Sequence, residues 1–279
     1  MKRLQIYTVP LIILCVSAFT LSTESILENY NLSSSPKSVH LTGSLTEISG
    51  IAFTPDNRLF AHQDESAVIY ELNIGNGKIN KWFNVGRFVL TDDFEDIAII
   101  NVTFYLVTSR GDLYRFYEQP DRGYSQYTKF STGLKPEYDV EGLCYDPETH
   151  SLLLACKGSP DKKTEFKYVY SFDLNSKKLL TKPRFQLSLK EIKNKSGIKN
   201  FSPTGIERNP VSGTFFIISS NENAIIEISK DGRLLAFSKL DKSIHKQPEG
   251  ISFSKDNSLF ISDEGNKSEA RLSKYSFTK

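Results

Sequence analysis

Short apolar runs bounded by turn-forming residues recur along the chain from about residue 38 onward, and five of them open alike: SGIAF, EDIAI, EGLCY, TGIER and EGISF. Aligned on their second residues, Gly50, Asp96, Gly142, Gly205 and Gly250, they lie 46, 46, 63 and 45 residues apart. A strand-rich repeat of this period is the spacing of four-stranded propeller blades, with one blade carrying an insertion. A turn and a second apolar run follow each opening: Leu59 to Gln63, Phe104 to Ser109, Leu152 to Lys157, Phe215 to Ser220 and Leu259 to Asp263. The linking turns hold Pro55-Asp56-Asn57, Asp146-Pro147-Glu148, Asn209-Pro210 and Lys255-Asp256-Asn257, residues that make tight hairpins. Third strands are expected at Val68 to Leu72, Leu113 to Tyr117, Tyr168 to Leu174, Ala224 to Ile228 and Arg271 to Phe277. Fourth strands fit Ile79 to Val85, Tyr127 to Ser131, Phe185 to Leu189 and Leu234 to Leu240. The last repeat runs out of chain before its fourth strand. Ser38 to Gly43 has the pattern to supply it, so the fold class expected is all-β, a five-bladed β-propeller of four-stranded blades with an N-terminal strand closing the last one.

The flanks change the picture at one end. Lys2 and Arg3 precede an apolar run from Val9 to Leu21, so residues 1–22 are expected to be a signal peptide or membrane anchor and the protein to be exported. Ser17-Ala18 offers a cleavage site, Ile6 to Leu21 is close to the length that spans a bilayer, and Cys15 keeps lipidation open. Residues 23–36, rich in Ser and Asn, are expected to be a linker, and residues 37–279 the propeller domain. Two Lys-rich excursions, Gly158 to Phe166 and Lys190 to Phe201, fill the long third interval and are expected to be surface loops.

Composition agrees with β structure: 19 Phe and 13 Tyr stand against one Met and one Trp. Thirty-five basic and 33 acidic residues give a net charge of +2 among 279 residues, which argues against a nucleic-acid partner and leaves membrane contact to the N-terminal segment. Cys144 and Cys156 fall inside apolar runs and fit buried thiols better than a disulfide, and neither has CxxC spacing.

The first strand of each propeller blade lines the central channel, so the residues opening the five repeats should meet at one mouth. These are Ser49, Glu95, Glu141, Thr204 and Glu249. Three carboxylates facing each other repel unless a cation neutralises them, and carboxylate, hydroxyl and water oxygens suit calcium, which takes six to eight hard ligands. The second strands end on the same face, which places Asp64, Arg110, Lys157, Asn221 and Asp263 as candidates for orienting a polar ligand one layer out. There is no GxSxG, HExxH or Gly-rich phosphate loop, and the four histidines occupy unrelated repeat positions. His62 or His245 could handle a proton if the site is catalytic.

The segments LTEISGIAFTPDNRLFAHQDE, DDFEDIAI with YLVTSRGDLYRF, YDVEGLCYDPETHSLLLACK, FSPTGIERNP and PEGISFSKDNSLFISDEG resemble the SdiA-regulated family of bacterial proteins, distant relatives of NHL-repeat propellers. The resemblance spans about Leu41 to Tyr275. It implies a five-bladed propeller with a calcium site, in a protein exported across or attached to the inner membrane, hence periplasmic or facing outward in the cell envelope. By position, the glutamates of the family's EG and ED motifs are Glu95, Glu141 and Glu249. Ser49 and Thr204 depart from that pattern, and Glu47 is a stand-in for the first. Three functions are compatible: a module that binds a small ligand or an envelope protein, a calcium-dependent hydrolase of esters, lactones or phosphate esters, and a propeller in which calcium is only structural.

Overall fold

The first hairpin of every blade turns through one residue in the left-handed region: Asn57 (φ 69°), Asn101 (φ 55°), His150 (φ 51°), Gly213 (φ 72°) and Asn257 (φ 62°). These residue types tolerate that conformation, and they fix where each opening strand stops and doubles back. The computed structural model describes residues 24–41, 43–265 and 269–278. The expected signal or anchor at 1–22 lies outside the described residues.

Strand β1 (Lys37–Leu41) comes first in the chain. Blade 1 follows with β2 (Ile48–Phe53), β3 (Leu59–Gln63), β4 (Val68–Leu72) and β5 (Ile79–Val85), and a two-residue strand β9 (Tyr124–Ser125) adds to it in parallel beside β5. Blade 2 is β6 (Phe94–Ile100), β7 (Thr103–Thr108), β8 (Asp112–Tyr117) and β10 (Thr128–Ser131). Blade 3 is β11 (Val140–Asp146), β12 (Ser151–Cys156) and β13 (Phe166–Asp173), whose outer edge is shared by β14 (Lys178–Leu179) and β15 (Phe185–Ser188). Blade 4 is β16 (Gly205–Arg208), β17 (Phe215–Ser219), β18 (Ala224–Ile228) and β19 (Leu234–Lys239). Blade 5 has three strands of its own, β20 (Pro248–Phe253), β21 (Leu259–Asp263) and β22 (Ala270–Tyr275), and β1 completes it, pairing antiparallel from Lys37↔Lys274 to Leu41↔Ala270. The ring is thus closed by the two ends of the chain, as the sequence pattern requires.

Five hydrophobic clusters hold the ring, one at each junction between neighbouring blades. Both faces of a blade are buried, so middle strands read as unbroken apolar runs rather than alternating ones. In β12, Leu152, Leu154 and Cys156 enter the junction with blade 2, while Leu153 and Ala155 enter the junction with blade 4. Cys144 packs with the latter set and Cys156 with the former. Both cysteines are buried free thiols pointing to opposite sides of the blade.

Two expectations need correction. Residues 24–36 are not a free linker. Leu27, Tyr30 and Leu32 are buried between blades 4 and 5, where the Tyr30 ring meets Phe216, Phe253 and Phe277. The buried Glu227 carboxylate anchors this strap: its Oε2 accepts from Ser25 Oγ (2.6 Å) and from the amides of Ile26 and Leu27 (both 2.9 Å). An apolar spacing hidden among Ser and Asn found a groove to fill. The second Lys-rich excursion is also not all loop, since Leu189–Ser196 forms helix α1. Ser188 caps it by accepting from Glu191 N (3.2 Å), and Gly197 ends it at φ 76°. That Ser-x-x-Glu followed by Gly was readable in the sequence.

Candidate functional site

The opening residues of the repeats reach the channel because the backbone is bulged there. In blade 2 the ladder passes from Phe94↔Thr108 to Asp96↔Val107, leaving Glu95 without a partner residue. The same shift isolates Glu141 between Val140 and Gly142, and Glu249 between Pro248 and Gly250. Ser49 lies within the corresponding irregularity of β2, between Ile48 and Ile51. A bulge adds one residue and re-aims its side chain, which turns a strand position facing a neighbouring blade into one facing the mouth.

One step further in, the channel is filled. Four blades present glycine, and a Cβ on Gly50 would fall 2.7 Å from His62 Nε2 and 2.8 Å from Asp96 Cα. On Gly205 it would fall 2.6 Å from Glu249 O, and on Gly250 2.6 Å from Ser49 O. The remaining blade, blade 2, places Asp96 in this ring. Its carboxyl takes the space the glycines leave, accepting from Ile97 N (2.8 Å) and from Leu143 N of the next blade (2.7 Å). Burial holds the Asp96 pKa well above the usual carboxylate range. His62, fully buried, accepts from Gly50 N through Nε2 (3.2 Å), and burial lowers its pKa to about 4, so it is a neutral packing element.

Above this plug lies a cavity of about 200 Å³ whose walls include six carboxylates, Glu47, Asp64, Glu95, Glu141, Glu249 and Glu264, and one ammonium, Lys157. Lys157 Nζ donates to Glu141 Oε1 at 2.9 Å. Burial and the neighbouring Glu141 charge push Glu95 up to about 10. Burial raises Glu141 to about 7 against the pull of Lys157, and burial with Glu141 raises Glu249 to about 8. Asp64 is raised by burial and by Glu47, and its Oδ1 is buried without a hydrogen-bond partner. Among the described residues no three Asp, Glu, His or Cys side chains stand together as a finished metal cage. The donor chemistry nonetheless suits a hard cation: carboxylate oxygens in large excess over one ammonium, and an orphaned buried oxygen on one wall.

Of the residues expected at the mouth, Ser49, Glu95, Glu141, Glu249, Asp64 and Lys157 line this cavity. Thr204 does not. Its hydroxyl donates to Pro248 O at 2.9 Å and stitches blade 4 to blade 5. Ser49, although at the wall, makes the equivalent stitch to Glu95 O at 2.5 Å. Arg110 and Asn221 are exposed in turns outside the cavity, because the tight turns carrying them point the side chains to solvent. Asp263 is also elsewhere: its Oδ2 is bonded to His245 Nδ1 (2.8 Å), while His245 Nε2 meets Tyr275 OH (2.7 Å). All three of those groups are buried in blade 5 and its surroundings, so His245 is structural and out of reach of the mouth. Gln247 is a wall residue that the repeat gave no reason to select, since it precedes the shared motif.

Comparisons with known proteins agree with the architecture. The sequence profile of the family described as SdiA-regulated matches residues 23–268. No match to a curated protein sequence was found. Among solved structures, the glutaminyl cyclase of Myxococcus xanthus superposes with a TM-score of 0.58 at 12% identity, over 86% of this chain and 94% of that one. The PQQ-bound aldose sugar dehydrogenase of Streptomyces coelicolor gives 0.51 at 11% identity, over 86% and 98%. At such identities the likeness is one of propeller fold.

Proposed function

The chain belongs to the SdiA-regulated family, and from its channel we propose that it is a ligand-binding module of the cell envelope that captures a cation, calcium, at its acidic mouth. One observation carries this reading: six carboxylates and a single ammonium share a cavity of about 200 Å³. Crowding that much like charge around one half-buried cavity is unfavourable unless a positive ion or protons neutralise it. Glu95, Glu141 and Glu249, which are not gathered into one ligand set in this structure, would have to draw in around the ion to hold it, and Asp64 with Glu47 and Glu264 would add negative potential at the rim. Lys157 is the resident counter-charge on Glu141 and competes with an incoming cation. A bound calcium supplies neutralisation and further coordination positions for an oxygen-bearing ligand or a partner protein. Export, with residues 1–22 as a signal peptide or as a membrane anchor, belongs to the same proposal and would put the mouth outside the cytoplasm.

Calcium titration by calorimetry tests it. The native protein should bind one ion, and the Glu95→Gln, Glu141→Gln double variant should bind at least about tenfold more weakly. Equal binding by the two proteins, or none by either, overturns the assignment.

A second reading, a calcium-dependent hydrolase, is favoured by the separation of two adjacent carboxyls, Glu95 at about 10 and Glu141 at about 7. Neighbouring acids driven apart in this way can divide proton donor and acceptor roles. Ester, lactone and phosphomonoester substrates assayed with and without chelator separate the two readings, because only the hydrolase turns them over and loses that activity on chelation.

A further inference from the structure

The channel has a second mouth. On the face opposite the acidic cavity, the ends of all five inner strands enclose a space of about 230 Å³ walled by Phe53, Ile99, Tyr145 and Phe253, with the small Ala52 and Ala98 beside them. A single acid stands among these walls, Glu207. The repeat explains how it comes to be there. Two residues after the glycine ring the blades carry Ala52, Ala98, Cys144, Glu207 and Ser252; Cys144 turns into the junction with blade 4, and the small Ala52, Ala98 and Ser252 leave room on this face for one carboxyl.

That carboxyl is underused. Glu207 Oε1 accepts from Arg208 N at 2.7 Å, and this is its one hydrogen bond among the described residues. The Arg208 guanidinium also belongs to these walls, but other acids hold it: Arg208 Nη2 donates to Glu148 Oε1 at 3.1 Å, and Arg208 Nε lies 3.9 Å from Asp146. Burial raises Glu207 to about 8. A half-buried carboxylate among largely aromatic and aliphatic walls, with its one basic neighbour committed to Glu148, leaves room for a cation with its own apolar body. Aromatic rings in the walls, Phe53 and Tyr145, can attract the same kind of group through their π clouds.

We propose that this second mouth is a binding site for a small organic cation, a primary amine carried on an aromatic or short aliphatic body. The space equals roughly seven or eight water volumes at about 30 Å³ each, which sets an upper size near that of a simple arylalkylamine. One carboxyl with apolar neighbours does not offer the six or more oxygens that calcium takes, so the two mouths differ in the cation they select. Asp96 and the glycine ring lie between them, which makes the two sites separately testable.

The probes are benzylamine and n-butylamine, with benzyl alcohol and benzoate as neutral and anionic controls, titrated at about pH 8.5 so that Glu207 is ionised. Amide NMR shifts should centre on Ala52, Ala98 and Ser252 for the amines, be weaker for benzyl alcohol and be absent for benzoate. Glu207→Gln should weaken benzylamine at least about tenfold, and Glu141→Gln should leave it unchanged. Should the Glu207 variant fail to fold, the comparison of benzylamine with its isosteric alcohol on native protein decides the matter. Equal binding of amine and alcohol, shifts centred on Ser49 and Glu141, or undiminished binding by folded Glu207→Gln would overturn the proposal.

Discussion

Asp96 shows how one residue can organise an axis of rotational symmetry. Four glycines cannot close the centre of the ring, and a fifth would leave a hole. The aspartate closes it with a side chain that also satisfies two amides, one on its own strand and one on the next blade. Asparagine is nearly the same size but has one acceptor oxygen, so one of the two amides would face an NH2 group instead. Asp96→Asn should therefore cost about 1–3 kcal/mol, the penalty of an unsatisfied buried donor, with urea unfolding as the measurement. A loss well below that range would mean the carboxyl is only filler. Gly50→Ala acts on the same ring by collision, since its methyl would press on the Asp96 backbone and on His62. Overpacking of this kind typically costs about 1–3 kcal/mol. The aspartate stands out in the sequence as the one non-glycine of its column, yet its role as a plug becomes visible only when the five columns are wound around one axis.

At the scale of elements, the repeat predicts strands well because a blade is a local structure: each hairpin is set by its own turn residues and apolar runs. Residues 59–63, 68–72 and 79–85 of blade 1 are strands where the pattern places them. What the pattern did not contain was the bulge. Glu95, Glu141 and Glu249 were selectable as a column, but the register shifts that aim them inward depend on how five inner strands crowd together. The same limit hid the fate of Thr204 and Asp263, whose partners, Pro248 O and His245, lie on another strand and in the loop that leads into it. The strap was missed for a different reason, since the burial of Leu27, Tyr30 and Leu32 depends on a groove made far along the chain. Two predictions belong here. Deleting residues 36–43 removes β1 and leaves the β22 edge unpaired, so cooperative thermal unfolding should be lost, and an unchanged melt would refute closure by β1. Glu227→Ala removes the acceptor of three strap hydrogen bonds and one from Thr214, so limited proteolysis should cut within residues 24–32 much faster while the ring still melts cooperatively. Equal resistance to the protease would show that apolar packing alone holds the strap.

For the whole molecule the acidic mouth is a store of strain that protons or a cation relieve, and its sign can be worked out. Glu95, Glu249 and Glu141 are raised from the ordinary 4.5 to about 10, 8 and 7. Between the unfolded and folded values the native protein binds more protons than the unfolded chain, so stability declines as pH rises through that window. His62, lowered to about 4, acts in the opposite direction below its ordinary 6.5, where the unfolded chain takes up the extra proton. From pH 7 to 9 that opposing contribution is over, and the raised carboxylates dominate, Glu207 at the opposite mouth among them, which is why Glu95→Gln is the comparison that isolates the acidic mouth. In chelator, unfolding free energy measured with urea should fall between about pH 7 and 9. Glu95→Gln should flatten the slope, because an amide carries no titrating proton. Calcium should flatten it as well, and should bind more tightly at the upper pH, since it displaces protons from the same oxygens. Lys157→Met would extend the effect by removing the competing ammonium from Glu141, strengthening calcium binding by about tenfold. A slope that is identical in native protein and Glu95→Gln, with and without calcium, would mean that the mouth's carboxylates do not titrate in this range, and the electrostatic case for a cation there would fail with it.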